Sequence, residues 1–471
     1  MKPETFRKFP EPAAFRPGLV SFEGDLAPVR DVIADIAAAG GRALLVGGCV
    51  RDALLGHASK DMDIEVHNLS ADALRPVLAR RHSIITVGQS FGVFKLRGLD
   101  VDVSLPRRES KNGVGHRGFA VWGDPRMSLR EAASRRDFTI NAVYWDPATG
   151  ALLDPCGGLR DLESRILRHT SPSFADDPLR VLRAMQFLAR FQFSPAPETV
   201  ALCRSIDPEN LPAERIFEEW LKLILKGEKP SLGLGFLREC GWVRHYPELE
   251  ALIGVPQDPE WHPEGDVWAH TAFCLDAFAA RRMGDRVEDT VVGLAVLCHD
   301  FGKALTTRRE SDGRWHAYGH EMAGVAPARA FIERMTRQRD IVESVLPLVE
   351  CHMRPLELWR ANAGNGAIRR LARKVGRIDR LIRVDEADRN GRPPLSPGPS
   401  PQGAWLAGKA AQLQVQASVP SPILKGRHLI ARGIEPSPRF REILDQAFEA
   451  QLDGEITDLD SALSWLARQG V

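Results

Sequence analysis

The 471-residue chain lacks paired cysteines, long apolar runs and a large net charge of either sign. Its seven cysteines include no C-x-x-C pair, which predicts free thiols in a reducing compartment. The most apolar run, Val291–Cys298, is much shorter than the roughly 20 residues that span a bilayer. The start, Met1–Thr5, has no apolar stretch behind its charges and does not resemble a signal peptide. We therefore expect a soluble cytoplasmic protein.

The charge balance of 63 basic and 62 acidic residues leaves a net charge of +1. This balance neither requires nor excludes nucleic acid as a partner, so the placement of charges has to decide. At roughly 100–200 residues per domain, the length predicts about three domains with a sizeable core.

Two strand-like segments with alternating acidic residues mark the first half as α+β. A short buried strand (43–46), a Gly-Gly break, a short helix (50–55) and a period-2 strand (60–66) follow one another, and residues 99–105 alternate in the same way. Residues 26–165 are therefore predicted to form a domain on one small mixed sheet, behind a Pro-spotted arm at 1–25.

From Pro178 onward the apolar spacing becomes helical. We expect all-α domains at 166–255 and 256–395 and a helical tail at 396–471. A Pro-rich linker at 391–401 precedes the tail, whose closing helices are predicted at 439–450 and 460–468.

Asp61 and Asp63 lie two residues apart on a predicted strand, so both carboxylates point the same way at about 7 Å. A third carboxylate, from Asp102 or Asp100 on a neighbouring strand, would complete a two-metal site. Ahead of them, Gly48 opens a helix whose free N–H groups suit phosphate oxygens. The alternative is a solvated acidic strand face after an ordinary turn.

Five ordered segments carry a resemblance to a known family. Residues 47–63 resemble the first motif of the bacterial-type tRNA nucleotidyltransferases and poly(A) polymerases, in the polymerase-β superfamily. Residues 135–142, 154–162, 176–183 and 214–220 resemble the later motifs in order. The resemblance implies a polymerase-β-like head, catalytic Asp61, Asp63 and Asp102 with Mg²⁺, and nucleotide-binding Gly48, Arg51, Arg135, Arg136, Asp137, Asn141, Asp177, Arg180 and Arg183.

Asp177 and Arg180 are three residues apart on a predicted helix and share a face. Cytosine and adenine both present an amine beside a ring-nitrogen acceptor, which a carboxylate and a guanidinium can match. Guanine and uracil place an oxygen where Asp177 needs a donor. The alternative is that Asp177 only caps the helix before Pro178. The family usually has Glu where this chain has Asp176.

The Gly-rich basic segment at 107–127 is either a surface loop or, by resemblance, the flexible loop linked to the switch from C to A addition. Its full length favours an enzyme that adds A as well as C. Residues 88–94 lack the basic pattern that we would expect of a poly(A) polymerase.

His299 and Asp300 end a buried apolar helix, and adjacent His and Asp can bind one metal ion. Together with other His and Asp residues, His320 among them, they resemble the HD phosphohydrolase superfamily. The resemblance implies His270, His299, Asp300 and Asp388 as ligands of a divalent transition metal such as Ni²⁺ or Mn²⁺, with Asp385 as an alternative to Asp388. His316 and His352 are interpreted as surface or core residues.

Basic residues recur at helical spacing after residue 368. One face of this segment is a candidate phosphate-binding stripe for the tRNA acceptor arm, and the alternative is a solvated charged face. The stripe is formed by Arg369, Arg373, Arg377 and Arg380.

The leading hypothesis is template-independent addition of CCA to the 3′ end of tRNA from CTP and ATP. The HD half would add a phosphohydrolase activity, for example on 2′,3′-cyclic phosphates. Within the same class, an A-adding enzyme, a CC-adding enzyme or a poly(A) polymerase stays open. An RNA-binding HD phosphohydrolase with an inactive transferase half is the alternative of another class.

Overall fold

A computed structural model describes residues 27–57, 61–86, 93–111, 119–208 and 211–470. The predicted arm at 1–25 and most of segment 88–94 lie outside the described residues. The chain divides into two compact units. The N-terminal unit holds the described residues up to 223 and residues 227–245, and the C-terminal unit holds 224–226 and 246–470.

The N-terminal unit is built on a seven-stranded mixed sheet in the order β3-β4-β5-β2-β1-β8-β9. Strands β1 and β2 are antiparallel, whereas β2 and β5 are parallel. A separate antiparallel hairpin pairs β6 with β7. The strands are β1 Arg42–Val46, β2 Met62–His67, β3 Ile84–Thr86, β4 Val93–Leu96, β5 Val101–Ser104, β6 Arg107–Lys111, β7 Phe119–Gly123, β8 Tyr144–Asp146, β9 Ala151–Leu153, β10 Ile166–Leu167 and β11 Ser194–Pro195.

Helices pack against the sheet, and further helices follow it along the chain. Residues of α1 and α3 pack with Ile64 and Val66 of β2 in one buried cluster, while Leu44 and Val46 of β1 belong to another cluster with Tyr144. The helices are α1 Ala27–Ala38, α2 Gly48–Leu54, α3 Ala71–Ala79, α4 Leu129–Ser134, α5 Gly158–Ser164, α6 Leu179–Phe191, α7 Pro197–Arg204, α8 Ala213–Lys226 and α9 Pro230–Glu239, with 3-10 turns at Thr139–Asn141, Pro172–Asp176 and Trp242–His245.

The C-terminal unit is helical apart from one hairpin of β12 (Arg308–Arg309) and β13 (Trp315–His316). Its last helices have a small core of their own around Leu429, Ile443 and Trp465. The helices are α10 Pro247–Glu250, α11 Val267–Ala279, α12 Arg286–Cys298, α13 Lys303–Thr306, α14 His320–Ala323, α15 Val325–Met335, α16 Arg339–Cys351, α17 Arg354–Arg360, α18 Asn365–Val375, α19 Ile378–Asn390, α20 Pro401–Gln412, α21 Gly426–Ile430, α22 Pro438–Asp453 and α23 Leu459–Arg468.

The α+β class with a small mixed sheet followed by helical domains is confirmed. The predicted elements differ from the observed ones by one to three residues at their ends. The finer division into five domains stays a prediction. Among the described helices, none combines the length and apolarity needed to cross a membrane. The seven cysteines, all within the described ranges, are free thiols.

Candidate active sites

Three carboxylates meet at the start of β2 and β5. The parallel register places Asp63 opposite Asp102, and Asp61 directly precedes β2. Burial raises the pKa of Asp63, and the negative charges of Asp102 and Asp61 raise it further, while Arg136 opposes them. The three carboxylates therefore lie near one another at one end of the two parallel strands. The register places Asp102, and not Asp100, opposite Asp63.

These carboxylates fit divalent metal ions. Oxygen ligands are what Mg²⁺ prefers, and a bound cation would relieve the repulsion that raises the pKa of Asp63. Lys95, a residue that the sequence did not single out, lies opposite Asp102 on β4 with its Nζ 3.0 Å from Asp102 Oδ2.

Gly47 forms the turn between β1 and α2 beside this cluster. Its φ of 83° lies in the left-handed region, and a Cβ at this position would lie 3.0 Å from Asp63 Oδ2. The backbone therefore lies so close to Asp63 that a side chain at this position would push against the Asp63 carboxylate. Helix α2 begins at Gly48, two residues before the predicted start of the helix at residue 50.

Four of the predicted nucleotide-binding residues form one hydrogen-bonded chain. Arg51 Nη1 donates to Asn141 Oδ1 (2.6 Å), and Asn141 Nδ2 donates to Asp137 Oδ1 (2.9 Å). Arg183 donates from Nε and Nη2 to Asp137 Oδ2 at 2.8 and 2.6 Å. Burial alone would raise the pKa of Asp137, but the charge of Arg183, together with hydrogen bonds from Asn141, Arg183 and the Phe138 N–H, outweighs burial and lowers that pKa. Arg51 is 4% exposed and also stacks over Phe187 and Phe191, so it joins α2 to α6.

Glu65 lies on the same face of β2 as Asp61 and Asp63. Its side chain is buried. It accepts hydrogen bonds from Arg136 Nη2 (2.9 Å) and Tyr144 Oη (3.1 Å) and lies 3.1 Å from His67 Nε2. Burial would raise the pKa of Glu65, but His67 and Arg136 lower it to about 2. Tyr144 and Arg136 cover this end of the face, which the alternating pattern alone does not reveal.

Asp177 and Arg180 lie at the start of α6 but make separate contacts. Asp177 Oδ2 accepts from Arg215 Nη2 at 2.8 Å, and its Oδ1 accepts from the Leu179 N–H at 3.2 Å. Arg180 donates to the carbonyl oxygens of Ser173 and Arg135 at 2.9 and 2.8 Å. The capping role predicted for Asp177 is thus present, and it does not exclude a second role. Arg215 lies in the fifth motif, but its contact with Asp177 was not predicted.

A second cluster lies inside the C-terminal unit. His270 (α11) and His299 (after α12) place their Nε2 atoms 3.6 and 3.2 Å from Asp300 Oδ2. His270 Nε2 is also 3.2 Å from Asp388 Oδ1 of α19. The structure thus brings together all four predicted HD residues.

This cluster fits a transition-metal ion. Within the described part of the chain, His299 Nε2 and Asp300 Oδ1 are buried and have no hydrogen-bond partner. His299 Nδ1 lies 2.7 Å from the Val296 carbonyl, so the ring presents a lone pair at Nε2. Orphaned nitrogen and oxygen acceptors that converge in a buried site are the ligands that such metals take.

Asp388 and Asp385 have different surroundings. Asp385 is buried and accepts from Ser400 Oγ (2.5 Å) and Gln402 Nε2 (3.0 Å), and burial raises its pKa to about 6. Asp388 contacts His270 instead. The geometry therefore favours Asp388 over Asp385 as the ligand, a role that stays a prediction.

Three neighbours of this cluster were not found from the sequence. Glu264 Oε1 lies 2.7 Å from His270 Nδ1, and Cys274 Sγ lies 3.4 Å from His270 Nε2. Lys303 Nζ pairs with Asp300 Oδ2 at 2.8 Å. The cluster opens into a cavity of about 470 Å³ with Trp261 and Tyr318 in its wall, which leaves room for a substrate.

The predicted phosphate-binding stripe is not one helical face. Gly376, with φ 72°, ends α18, so the four arginines divide between α18 and the start of α19. Each also contacts protein acceptors. Arg373 pairs with Glu449, and Arg377 and Arg380 pair with Glu288, while Arg369 donates to the Leu452 carbonyl. The helical spacing hid this break because glycine also occurs within helices. Contact of these arginines with RNA stays a prediction.

Three family models match the chain. They are described as "Poly A polymerase head domain" (residues 43–168), "Probable RNA and SrmB- binding site of polymerase A" (192–253) and "HD domain" (275–389). The chain is also similar to solved structures: a Bacillus stearothermophilus CCA-adding enzyme in complex with CTP (TM-score 0.67, 22% identity, 95% of this chain and 98% of that one) and a Thermotoga maritima CCA-adding enzyme complexed with tRNA (TM-score 0.57, 21% identity, 94% and 95%). At this identity they show the fold.

Relatives of higher identity show the family. A multifunctional CCA protein of Xanthomonas campestris pv. campestris (strain B100) is 39% identical over 418 residues, 86% of this chain and 96% of the relative. One of Xylella fastidiosa (strain M23) is 40% identical over 392 residues, 80% and 90% respectively. This chain therefore belongs to the multifunctional CCA protein family and is a tRNA nucleotidyltransferase.

Proposed function

We propose that this chain adds C, C and A to the 3′ end of tRNA from CTP and ATP. The observation that carries the proposal is the group of three interacting carboxylates, Asp61, Asp63 and Asp102, beside the Gly47 turn. The relatives named multifunctional CCA protein support it. Solved structures of similar fold, described as complexes of CCA-adding enzymes with CTP, ATP and tRNA, also support the proposal.

In the proposed reaction, the tRNA 3′-hydroxyl oxygen attacks the α-phosphorus of the nucleotide and pyrophosphate leaves. Asp61, Asp63 and Asp102 would hold two Mg²⁺ ions, which supply activation of the hydroxyl and neutralisation of the leaving group. Arg136, Asp137 and Arg183 lie in buried ion pairs near the start of α6, so they order the wall of the nucleotide pocket.

Base choice is assigned to Asp177 and Arg180. The Asp177 carboxylate accepts from the amine that C and A share, and the Arg180 guanidinium donates to the adjacent ring nitrogen. Arg215, whose Nη2 lies 2.8 Å from Asp177 Oδ2, holds that carboxylate in place. G and U would present an oxygen to Asp177, and that contact would cost roughly 1–3 kcal/mol.

The test is incorporation of labelled CTP and ATP, with Mg²⁺, onto tRNA transcripts that end at the discriminator base, in C and in CC. We expect addition to stop after CCA on all three. Addition of A alone to the CC transcript would indicate an A-adding enzyme, and addition that stops after CC would indicate a CC-adding enzyme. Long A tails would indicate a poly(A) polymerase. No transfer to any transcript would favour an HD phosphohydrolase with an inactive transferase half.

The converging ligand atoms of the C-terminal cluster favour a second activity, metal-dependent hydrolysis of a phosphoester. His270, His299, Asp300 and Asp388 would hold a metal ion such as Ni²⁺ or Mn²⁺, which supplies an activated water. A 2′,3′-cyclic phosphate at an RNA end is the proposed substrate. Hydrolysis of adenosine 2′,3′-cyclic phosphate with added Ni²⁺ or Mn²⁺, lost in Asp300→Asn, would support this activity. Equal hydrolysis by the unchanged chain and by Asp300→Asn would contradict the proposal that this cluster is a hydrolytic site.

A further inference from the structure

Exposed aromatic side chains gather at one place in the C-terminal unit. Among the described residues of this unit, four tryptophan and tyrosine side chains are exposed, and three of them line the cavity beside the His/Asp cluster. These three, here called the aromatic rim, are Trp261 (54% exposed), Trp315 (36%) and Tyr318 (74%). Single exposed apolar side chains are ordinary, but a group of them around a cavity indicates a binding surface.

Ion pairs join the two segments that carry the aromatic rim. One segment is the loop before α11, and the other is β13 with the residues that follow it. Arg314, directly before β13, donates from Nε to Asp258 Oδ2 at 2.5 Å and from Nη2 to Asp258 Oδ1 at 3.1 Å, and it also pairs with Glu260. A two-pronged arginine–carboxylate pair fixes direction as well as distance, so the loop and the hairpin are held together before any ligand binds.

The ring of Tyr318 is also held in place. It stacks on His316, with the ring centroids 5.1 Å apart and the ring planes at 8°. His316 Nε2 in turn lies 2.9 Å from Asp312 Oδ2. One face of the phenol ring is therefore covered, while most of the residue stays exposed. A flat ligand can stack on such a ring at little cost in entropy, because the ring is already ordered.

The cavity is larger than a phosphate group requires. Its volume of about 470 Å³ lies in the range of roughly 300–1,000 Å³ that holds whole small-molecule ligands. Asp300 and Asp388 of the His/Asp cluster line the same cavity as the aromatic rim, so one ligand can reach both. A nucleotide has the two parts that this requires, a phosphate and a flat base, and bases of any identity stack on aromatic side chains.

Positive charge lies beside the aromatic rim. Arg309 of β12 is the cross-strand partner of Trp315, so the two side chains lie on the same face of the hairpin. Arg308 is the partner of His316, and both arginines are exposed. Guanidinium groups suit the phosphates of a nucleic-acid backbone. This charge favours the end of an RNA chain over an apolar ligand.

We propose that the aromatic rim binds the terminal base of an RNA whose terminal phosphate lies at the His/Asp cluster. The base stacks on the rim, and Arg308 and Arg309 contact the phosphates of the preceding nucleotides. The substrate class is therefore an RNA end with any base, and not a small phosphoester without one. The proposal rests on the hydrolytic activity proposed above and adds the group that this site recognises.

The test compares two cyclic phosphates on the full-length chain with added Mn²⁺. Adenosine 2′,3′-cyclic phosphate has a base, and glycerol 1,2-cyclic phosphate has the same five-membered phosphate ring without one. Trp261→Leu and Tyr318→Leu each remove an aromatic ring, whereas Tyr318→Phe keeps it. Trp359→Leu is the matched control, because Trp359 is 41% exposed on α17 and lies outside the cavity wall.

We expect the unchanged chain to prefer the adenosine compound in kcat/KM. Trp261→Leu and Tyr318→Leu should each lower this preference by roughly 10-fold, mainly through KM, because they remove a stacking partner of the base. Tyr318→Phe and Trp359→Leu should keep the preference. An unchanged preference in both leucine variants of the rim, or an equal loss on both substrates, would overturn the base subsite and leave the hydrolytic site standing.

Absence of hydrolysis of either compound would instead contradict the proposed hydrolytic activity. Equilibrium dialysis of labelled adenosine 2′,3′-cyclic phosphate, with EDTA to prevent turnover, then decides the base subsite by itself. Weaker binding to Tyr318→Leu than to Tyr318→Phe would support the subsite, since any binding at the transferase site is common to both variants. Equal binding to the two variants would overturn it.

Discussion

Asp176 and Asp177 are adjacent carboxylates with different surroundings. Asp176 is exposed, whereas Asp177 is held by Arg215 at the start of α6. We expect Asp177→Ala to lower kcat/KM for CTP and ATP by roughly 30- to 100-fold and to reduce discrimination against UTP and GTP. Asp176→Ala is the matched control and is expected to change neither. Single-nucleotide kinetics with all four nucleotides would measure this, and an unchanged preference in Asp177→Ala would contradict the base-choice role.

Glu65 predicts a pH dependence of stability. Its pKa of about 2 in the folded chain lies below the ordinary 4.5, so its contribution is complete above about pH 4.5 and is lost as pH falls toward 2. The size is at most roughly 3 kcal/mol. In Glu65→Gln, the free energy of unfolding should therefore fall less steeply as the pH decreases below about 4.5. Denaturant titrations at a series of pH values measure this. An equally steep acid side in the variant would show that other carboxylates dominate.

At the residue scale, the sequence pattern predicted site residues that lie close together along the chain, whereas the distant His270 and Asp388 came from the family resemblance. Asp61 and Asp63 share a strand, and His299 and Asp300 are adjacent, so spacing alone joins them. His320 and His352 meet only because α14 and α16 pack together, and no short spacing encodes that contact. Arg215 reaches Asp177 across 38 positions for the same reason.

At the scale of elements, the β1–α2 turn determines how closely the backbone approaches the carboxylates. Gly47 and Gly40 both have a positive φ, 83° and 85°, so alanine costs roughly 1–3 kcal/mol of backbone strain at either position. Only at Gly47 would the new Cβ contact Asp63, at 3.0 Å, because nothing lies within 4 Å of a Cβ at Gly40.

We therefore expect Gly47→Ala and Gly40→Ala to lose similar stability in thermal unfolding. Only Gly47→Ala should lose nucleotide transfer, by roughly 100-fold, because it displaces Asp63. Transfer rates across a Mg²⁺ titration would measure the difference. Equal activity of the two variants would mean that Asp63 tolerates the displacement.

Element types were predictable where periodicity was long, and their ends were not. The alternating β2 and the amphipathic α6 were predicted within one or two residues. The pairing of β2 with β5 and the hairpin of β6 and β7 depend on contacts across the chain, so the sequence placed that hairpin in a loop. Of the 107–127 segment, residues 112–118 lie outside the described residues.

For the whole molecule, the two candidate sites belong to separate compact units with separate ligand sets. We expect Asp61→Asn to abolish nucleotide transfer and to leave hydrolysis of a 2′,3′-cyclic phosphate unchanged. Asp300→Asn should do the reverse. Assays of both activities on the same preparations test this, with Asp100→Asn as a control for the first change. Loss of both activities in either variant would mean that the two sites are coupled.

The hydrogen bonds of Asp385 bear on where the polypeptide tolerates being cut. The Pro-rich segment looks like a dispensable tether, yet Ser400 and Gln402, just beyond it, supply both side-chain donors of a buried carboxylate on α19. A chain shortened before Ser400 would strip the cavity wall of these donors and leave Asp385 unsatisfied three residues from Asp388. Proteolysis or truncation near residue 395 would therefore damage the metal-binding half and would not release an independent tail.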